Sequence, residues 1–299
     1  MMRVVSLLPA ATEIVTALGG QGSLVGISHQ CDWPPAIRGL PRVTSTPIDI
    51  GAGSGAIDRT VRDLREQGQA VIAVDGRRLR QLAPDLIITQ HLCEVCAVAD
   101  GQVHRIADLM DPSPSVLALE ANDLAGVFED IQRVGDALEL APEAVELAAG
   151  LRYRLERLRW TAPSPPPNVL CIEWLDPFYL AGHWVPDLVA AAGGSDIGAR
   201  PGQPSRRLDR EELQALRPDV VVVMLCGFGL ERAAQELERS PLPSLGAPVW
   251  LLDGSAYTSR AGPRVVDGAT LLQAAFRGDR SGSSPALRRV PATDDRARG

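Results

Sequence analysis

The sequence has no excess of basic charge: 30 Lys and Arg stand against 37 Asp and Glu, for a formal net charge of −7. Without a basic stripe a surface cannot displace the counterions of a phosphate backbone, which argues against a nucleic-acid partner. It also has no uninterrupted apolar run of the roughly 18 residues that a membrane span needs, so no spanning segment is expected. There is no G-x-S-x-G elbow, no P-loop and no HExxH helix, so no catalyst with a known local signature is indicated and the chain reads as a binder rather than an enzyme. GAGSG at 51–55 is glycine-rich, but Asp49-Ile50 is too short a lead for the strand before a phosphate-cradling loop, and the segment reads as a flexible loop. Cysteine is sparse and odd in number, five in 299 residues. Disulfides therefore cannot pair them all and are not needed in a chain this long, and reduced thiols are expected. Aromatic residues make up only 4%.

What is present is an ordinary globular balance, 45% apolar and 22% charged, in a length that suits two lobes better than one core. Met1-Met2-Arg3 followed by VVSLLPAA has the look of a short signal peptide. Glu13, just past Ala11 and leading into Ile14, Val15, Ala17 and Leu18, instead fits a strand over 3–8 that turns at Pro9 into an amphipathic helix. On that reading the protein is cytoplasmic as written, and periplasmic or otherwise extracytoplasmic if the start site is incomplete.

The most informative feature is an internal repeat. RRLRQLAPDLIITQHLCEV (77–95) and REELQALRPDVVVVMLCGF (210–228) each read as a short helix, a Pro-Asp stop, a β-branched run typical of a buried parallel strand, and a polar loop. Upstream, VVSLLPAATEIVTALGG (4–20) corresponds to VLCIEWLDPFYLAGHWVPDLVAAAGG (169–194), both running from a strand through a proline loop into a helix closed by Gly-Gly. The first half carries an insertion at 26–49 with His29, Cys31 and Trp33. Between the halves, 122–160 reads as helix with one interruption near Ala141-Pro142, capped by Asn122 or Asp123 and stopped by TAPSPPP at 161–167. The expected organisation is an N-terminal α/β lobe over 1–121, a connecting helix over 122–160 and a C-terminal α/β lobe over 168–277. A tail over 278–299, rich in Ser, Gly, Pro and charge, is expected to be disordered. Both lobes are read as Rossmann-like with parallel sheets.

SLLPAATEIVTALG, GISHQCDWP, LRQLAPDLIITQHLCEVCAV, EWLDPFYLAGHWVPDLVAAAGG, ELQALRPDVVVVMLCGF and SRAGPRVVDG, in that order over about residues 3 to 277, resemble the helix-hinged (class III) periplasmic-binding-protein superfamily. Within it the chain is similar to the cobalamin-binding branch of ABC importer substrate-binding proteins. The resemblance implies two lobes joined by a single long helix, with cobalamin or a related corrinoid or metal macrocycle held in a cleft between them. Trp33, Trp174, Phe178, Tyr179, Trp184, Phe228 and Tyr257 fall in or beside predicted loops and offer apolar faces for such a ring. Pro9, His29, Asp32, His91, Asp176 and His183 complete the candidate ligand set, the polar members for ligand edges or the metal. The alternative for Trp174 and Trp184 is local packing. Importer docking implies a carboxylate on each lobe: Glu211 fits in the second, whereas Arg77 stands at the matching position of the first and would repel a permease arginine.

Cys93-Glu-Val-Cys96 is a C-x-x-C after a strand. With Cys226 at the equivalent strand end and Cys31 in the insertion, these four thiols are candidate ligands for Zn, an iron-sulfur cluster or the axial face of a macrocycle. That is the alternative function: a metal-thiolate protein, possibly enzymatic. The bland reading makes Cys93, Cys171 and Cys226 small buried residues at strand ends. His104 reads as a solvated helix histidine.

Overall fold

The computed structural model describes residues 2–91, 100–278 and 284–291. The chain divides into two compact α/β units, one made of Met1–Ala52, Arg59–Ala121 and Ala125–Gly150, the other of Gly53–Asp58, Asn122–Leu124 and Leu151–Gly299.

The first unit opens with β1 (Val4–Ser6), whose three residues are all buried, and α1 (Pro9–Ala17), which starts on the proline expected to turn the chain. Proline suits a first helical turn because its missing N–H has no partner there anyway. Gly19 then takes φ +81, the left-handed exit that the Gly-Gly pair implied. There follow β2 (Leu24–Ile27), β3 (Thr44–Ser45), α2 (Ser54–Glu66), β4 (Ala73–Val74), α3 (Gly76–Leu82), β5 (Leu86–Gln90), α4 (Asp100–Asp108), β6 (Ser115–Leu119), α5 (Leu124–Ala137) and α6 (Ala141–Trp160), of which the start of α2 through Asp58 and Leu124 of α5 count with the second unit. The main sheet is parallel in the order β2-β1-β5-β6, and β3 and β4 pair separately. Val5, Leu7, Leu79, Ile87 and Val103 form its core, each worth about 1.5–3 kcal/mol relative to an exposed side chain.

The second unit contains β7 (Asn168–Leu175), β8 (Phe178–Leu180), α7 (Val185–Ala191), β9 (Ser195–Asp196), β10 (Arg206–Leu208), α8 (Arg210–Ala215), β11 (Val220–Val223), α9 (Leu230–Arg239), β12 (Val249–Leu252), α10 (Gly254–Tyr257), α11 (Val265–Phe276) and β13 (Leu287–Arg289). Parallel strands run β9-β7-β11-β12, the same order as in the first unit. The far edges are antiparallel: β8 and β10 extend the sheet beside β7, and β13 closes it on β12.

The repeat read from the sequence is thus a repeat of structure, and its Pro-Asp stops have a defined task. Asp85 Oδ2 accepts the N–H of Arg3 at 2.7 Å, and Asp219 Oδ2 accepts that of Asn168, also at 2.7 Å. In both cases the aspartate's own N–H is returned to the carbonyl of the same partner. Each aspartate therefore sets the start of β5 or β11 against the start of its neighbour.

One expectation, that of the tail, needs correction. The 122–160 segment is two helices separated at Leu138–Leu140, where Glu139 has φ +61, next to the interruption expected near Ala141-Pro142, and the N–H of Leu124 is taken by Asp187 Oδ2 of α7 at 3.0 Å. Helix α6 begins in the first unit and counts with the second from Leu151 onward. The segment expected to be a disordered tail includes β13: Leu287 is 7% exposed, and Trp250 and Leu252 pair with Arg289 and Leu287. Its polar composition hid one buried residue pair, Ala286 and Leu287, that completes the sheet edge.

Candidate functional site

In a parallel α/β sheet, ligands are met by the loops at the carboxyl ends of the strands. In the first unit these loops carry a buried polar group. Ser6 ends β1, Thr12 lies in α1, Ser28 and His29 follow β2, and Thr89 stands one residue before the end of β5; Ser6, Thr12, Ser28, Thr44 and Thr89 are all buried. Thr12 Oγ1 donates to Ser6 Oγ at 2.8 Å and lies 3.1 Å from Cys31 Sγ. Thr44 Oγ1 accepts the backbone N–H of His29 at 2.9 Å, sits 2.7 Å from His29 Nδ1 and donates to Ser28 Oγ at 3.1 Å. Because the Thr44 proton is directed at Ser28, the neutral imidazole donates from Nδ1, leaving the lone pair on Nε2. That Nε2 is buried and has no hydrogen-bond partner. Burial, with Arg42 as a second cause, holds the His29 pKa below the usual 6.5, which favours this neutral form. Arg42 itself is tied to the carbonyls of Ser28 and Cys31.

The other candidates of this unit are spread. Pro9 starts α1 and is half-buried; Asp32 and Trp33 are exposed, Trp33 at 44%; His91 is exposed just beyond β5. GAGSG leads into α2 rather than forming a free loop. Glu236 Oε1 accepts the N–H of Ser54 at 2.7 Å and its hydroxyl at 2.5 Å, so a carboxylate of the protein already occupies the place that a phosphate would need.

In the second unit the aromatic residues divide into two groups. Phe178, Trp184 and Phe228 are 8%, 6% and 2% exposed and belong to the packing: Phe178 and Phe228 lie in the main core, and Trp184 Nε1 donates to the carbonyl of Thr258 at 2.8 Å. Trp174, Tyr179 and Tyr257 are half-buried. Trp174, near the end of β7, stands edge-on to Phe228 with ring centres 5.3 Å apart, and its indole N–H donates to the carbonyl of Asp176 at 3.1 Å. Arg264 stacks over Tyr257 at 4.8 Å and Arg232 over Phe228 at 3.5 Å. His183 adopts φ +54, its Nδ1 is buried without a hydrogen-bond partner, and burial lowers its pKa. Beside Asp176 lies an open cleft of about 750 Å³ lined by Leu175–Phe178, Arg207–Arg210, Glu212 and Arg239–Pro241. Sequence reasoning reached Asp176 and Phe178 but missed Arg207, Arg210 and Arg239, whose charges looked like ordinary solvated helix and strand ends.

The thiolate set does not assemble among the described residues. Cys31 is a buried thiol against Thr12, Cys226 is half-buried in the second unit, and Cys93 and Cys96 lie outside the described residues. Among the described residues no group of three or more His, Cys, Asp and Glu side chains could hold a metal ion. Cys171 is buried at the centre of β7, and burial pushes its pKa well above the usual thiol value. Glu211 is exposed on α8 and Arg77 on α3. No helix of the described residues is long and apolar enough to cross a membrane.

Residues 4–244 match the family model described as periplasmic binding protein. The vitamin B12-binding protein of Photorhabdus laumondii is 23% identical over 275 residues, covering 91% of this chain and 86% of that one. Among solved structures, a periplasmic heme binding protein from Pseudomonas aeruginosa superposes with a TM-score of 0.72 at 23% identity, covering 97% of this chain and 98% of that chain. The periplasmic vitamin B12 binding protein BtuF of Vibrio cholerae does so with 0.64 at 20% identity, covering 93% and 98%. These likenesses bear out the two-lobed α/β fold and the resemblance read from the motifs. They do not support the cytoplasmic expectation, and the periplasmic description supports its extracytoplasmic alternative.

Proposed function

The chain belongs to the periplasmic binding protein family, and from that premise we propose that it is an extracytoplasmic carrier of a planar metal macrocycle, a corrinoid such as cobalamin or a haem. The observation that carries this reading is that proteins named for vitamin B12 and for heme match over 91% and 97% of the chain. Half-buried Trp174, Tyr179 and Tyr257, with exposed Trp33, are the proposed apolar contacts, since aromatic faces suit a flat rigid ring at little entropic cost. His29 is the proposed metal ligand, because its Nε2 lone pair is unpartnered while Thr44 fixes the rest of the ring. Exposed Glu211 is the carboxylate proposed to meet an ABC permease, with Arg77 opposing such docking on the first unit.

Titration of the purified chain with cobalamin, cobinamide and haem, followed by visible spectroscopy and calorimetry, tests the reading. One-to-one binding of at least one macrocycle is expected, with a band shift that His29→Ala abolishes. Absence of binding for all three refutes it.

A further inference from the structure

We propose that the exposed face of the C-terminal half of α6 is a lipid-facing surface, by which the protein rests on a membrane rich in anionic lipid. The inference concerns this half-helix alone and stands whether or not the chain carries a macrocycle.

The half-helix from Leu151 to Trp160 reads LRYRLERLRW and belongs to the second unit. At about 3.6 residues per turn, Leu151, Leu155 and Leu158 share one side. Leu151 and Leu155 are buried and Leu158 is half-buried, so this is the stripe that packs inward. Tyr153 and Trp160 fall on the opposite side, about 10 Å apart along the axis. They are 55% and 76% exposed, and neither has a hydrogen-bond or ring partner among the described residues. A lone surface leucine needs no explanation, but tryptophan is a large side chain that folding ordinarily covers, and here two aromatic rings crown the solvent side of one helix.

The flanks of this crest are cationic. The half-helix carries four arginines, Arg152, Arg154, Arg157 and Arg159, against one glutamate, Glu156; the other glutamates of α6, Glu143 and Glu146, lie in its N-terminal half. Arg154 is paired with Asp267 of α11. Arg157 and Arg159, beside Trp160 in the last turn, have no side-chain hydrogen bond or ion pair among the described residues. Exposed Arg277 is tied to the Thr161 carbonyl and to Gln273 Oε1, the latter at 2.8 Å, which brings one more guanidinium group to the same helix end. The local sign is thus the reverse of the whole chain's, whose net charge is −7.

That combination selects the occupant. Guanidinium forks match phosphate oxygens, and Trp and Tyr settle at the headgroup level of a bilayer, where the ring meets apolar chains and its N–H or O–H stays wet. An apolar crest between cationic flanks is the pattern of a helix that lies in the membrane interface. An anionic leaflet attracts this patch and repels the acidic surface elsewhere, so the charge pattern also decides which side of the second unit turns to the lipid. Two copies of the chain meeting on this face would instead set arginines against arginines.

The test is cosedimentation of the full chain with vesicles of phosphatidylglycerol and phosphatidylcholine in equal parts, compared with vesicles of phosphatidylcholine alone. The wild type is expected to bind the anionic vesicles only, and to leave them in about 1 M salt, where the screening length falls to about 3 Å. The Arg157→Gln, Arg159→Gln double variant should bind about thirtyfold more weakly, from about 1 kcal/mol for each basic residue at an anionic surface. The Tyr153→Ser, Trp160→Ser double variant should lose about tenfold or more. All four positions are exposed, so urea midpoints should stay at the wild-type value. An Arg200→Gln, Arg217→Gln control, at exposed arginines elsewhere on the second unit, should bind as the wild type does. Binding that both helix variants weaken and the control spares upholds the proposal, whatever the macrocycle titration shows. Failure of the wild type to bind anionic vesicles, or equal losses from the control, overturns it. So does a dimer in analytical ultracentrifugation that Trp160→Ser disperses, since the face is then covered by a second copy.

Discussion

Replacing Glu236 by alanine should loosen the first turn of α2 far more than its sequence setting suggests. The side chain is 2% exposed, and Oε1 receives both the N–H and the hydroxyl of Ser54, itself fully buried. Gly53 stands beside the carboxylate, where a Cβ would be in ordinary contact with Oε2 at 3.4 Å. A buried donor left without an acceptor costs about 1–3 kcal/mol, and loss of a helix cap about 0.5–2 kcal/mol, but both figures describe the same bond and do not add. Allowing for the second donor, Glu236→Ala should cost roughly 2–3 kcal/mol. The lost partner of Arg239 contributes little, because that guanidinium is solvated. Glu236→Gln keeps an acceptor and should cost less than about 1 kcal/mol, and Glu238→Ala, on an exposed position of the same helix, less than about 0.5 kcal/mol. Urea unfolding reads the global effect, and amide exchange at the start of α2 reads the local one, where 2 kcal/mol corresponds to roughly thirtyfold faster exchange. A Glu236→Ala protein within about 0.5 kcal/mol of wild type, or a glutamine variant as damaged as the alanine one, refutes the reasoning.

Acidification should destabilise the protein through its histidines. The folded pKa values of His29 and His183 lie below the usual 6.5, so the unfolded chain binds more protons; stability is complete above 6.5 and is lost as pH falls below it. Urea midpoints measured from pH 8 to pH 5 check this, and His29→Gln should flatten the slope. Ending the chain after Gly278 removes β13 and bares the edge of β12; losing buried Leu287 and Ala286 should cost about 2–3 kcal/mol, seen as a lower urea midpoint at unchanged helix content. Trp184→Phe removes the bond to the Thr258 carbonyl and should cost about 1–2 kcal/mol by the same measurement.

The elements with strong local grammar were legible in the sequence. Apolar runs bounded by Pro-Asp marked β5 and β11, and because the same words occur twice, they also implied that the strands play the same part in two sheets. What the words did not convey was the second bond of each aspartate: Asp85 and Asp219 stop a helix, as their setting suggests, but they also fix register by gripping Arg3 and Asn168, more than 50 residues back along the chain. Such a pairing has no local signature.

The site was less legible, for a related reason. Aromatic residues near predicted loops were read as ligand contacts, yet Phe178, Trp184 and Phe228 are buried: β8 folds back as a hairpin on β7 and covers Phe178, Trp184 is tied to the Thr258 carbonyl, and Phe228 packs into the core of the second unit. Charge carried no signal at all. ERAAQELERS has the spacing of a helix with a solvated acidic face, but Glu236 is buried by a helix start that lies 182 residues earlier, and Arg239 at the end of the same helix lines a cleft. Periodicity identifies which face of a helix is apolar; it is silent on which charged residue another segment will come to cover. Those exceptions carry the cost of desolvation and the capacity to recognise a ligand, so the most informative residues of this protein are the ones whose local pattern was the most ordinary.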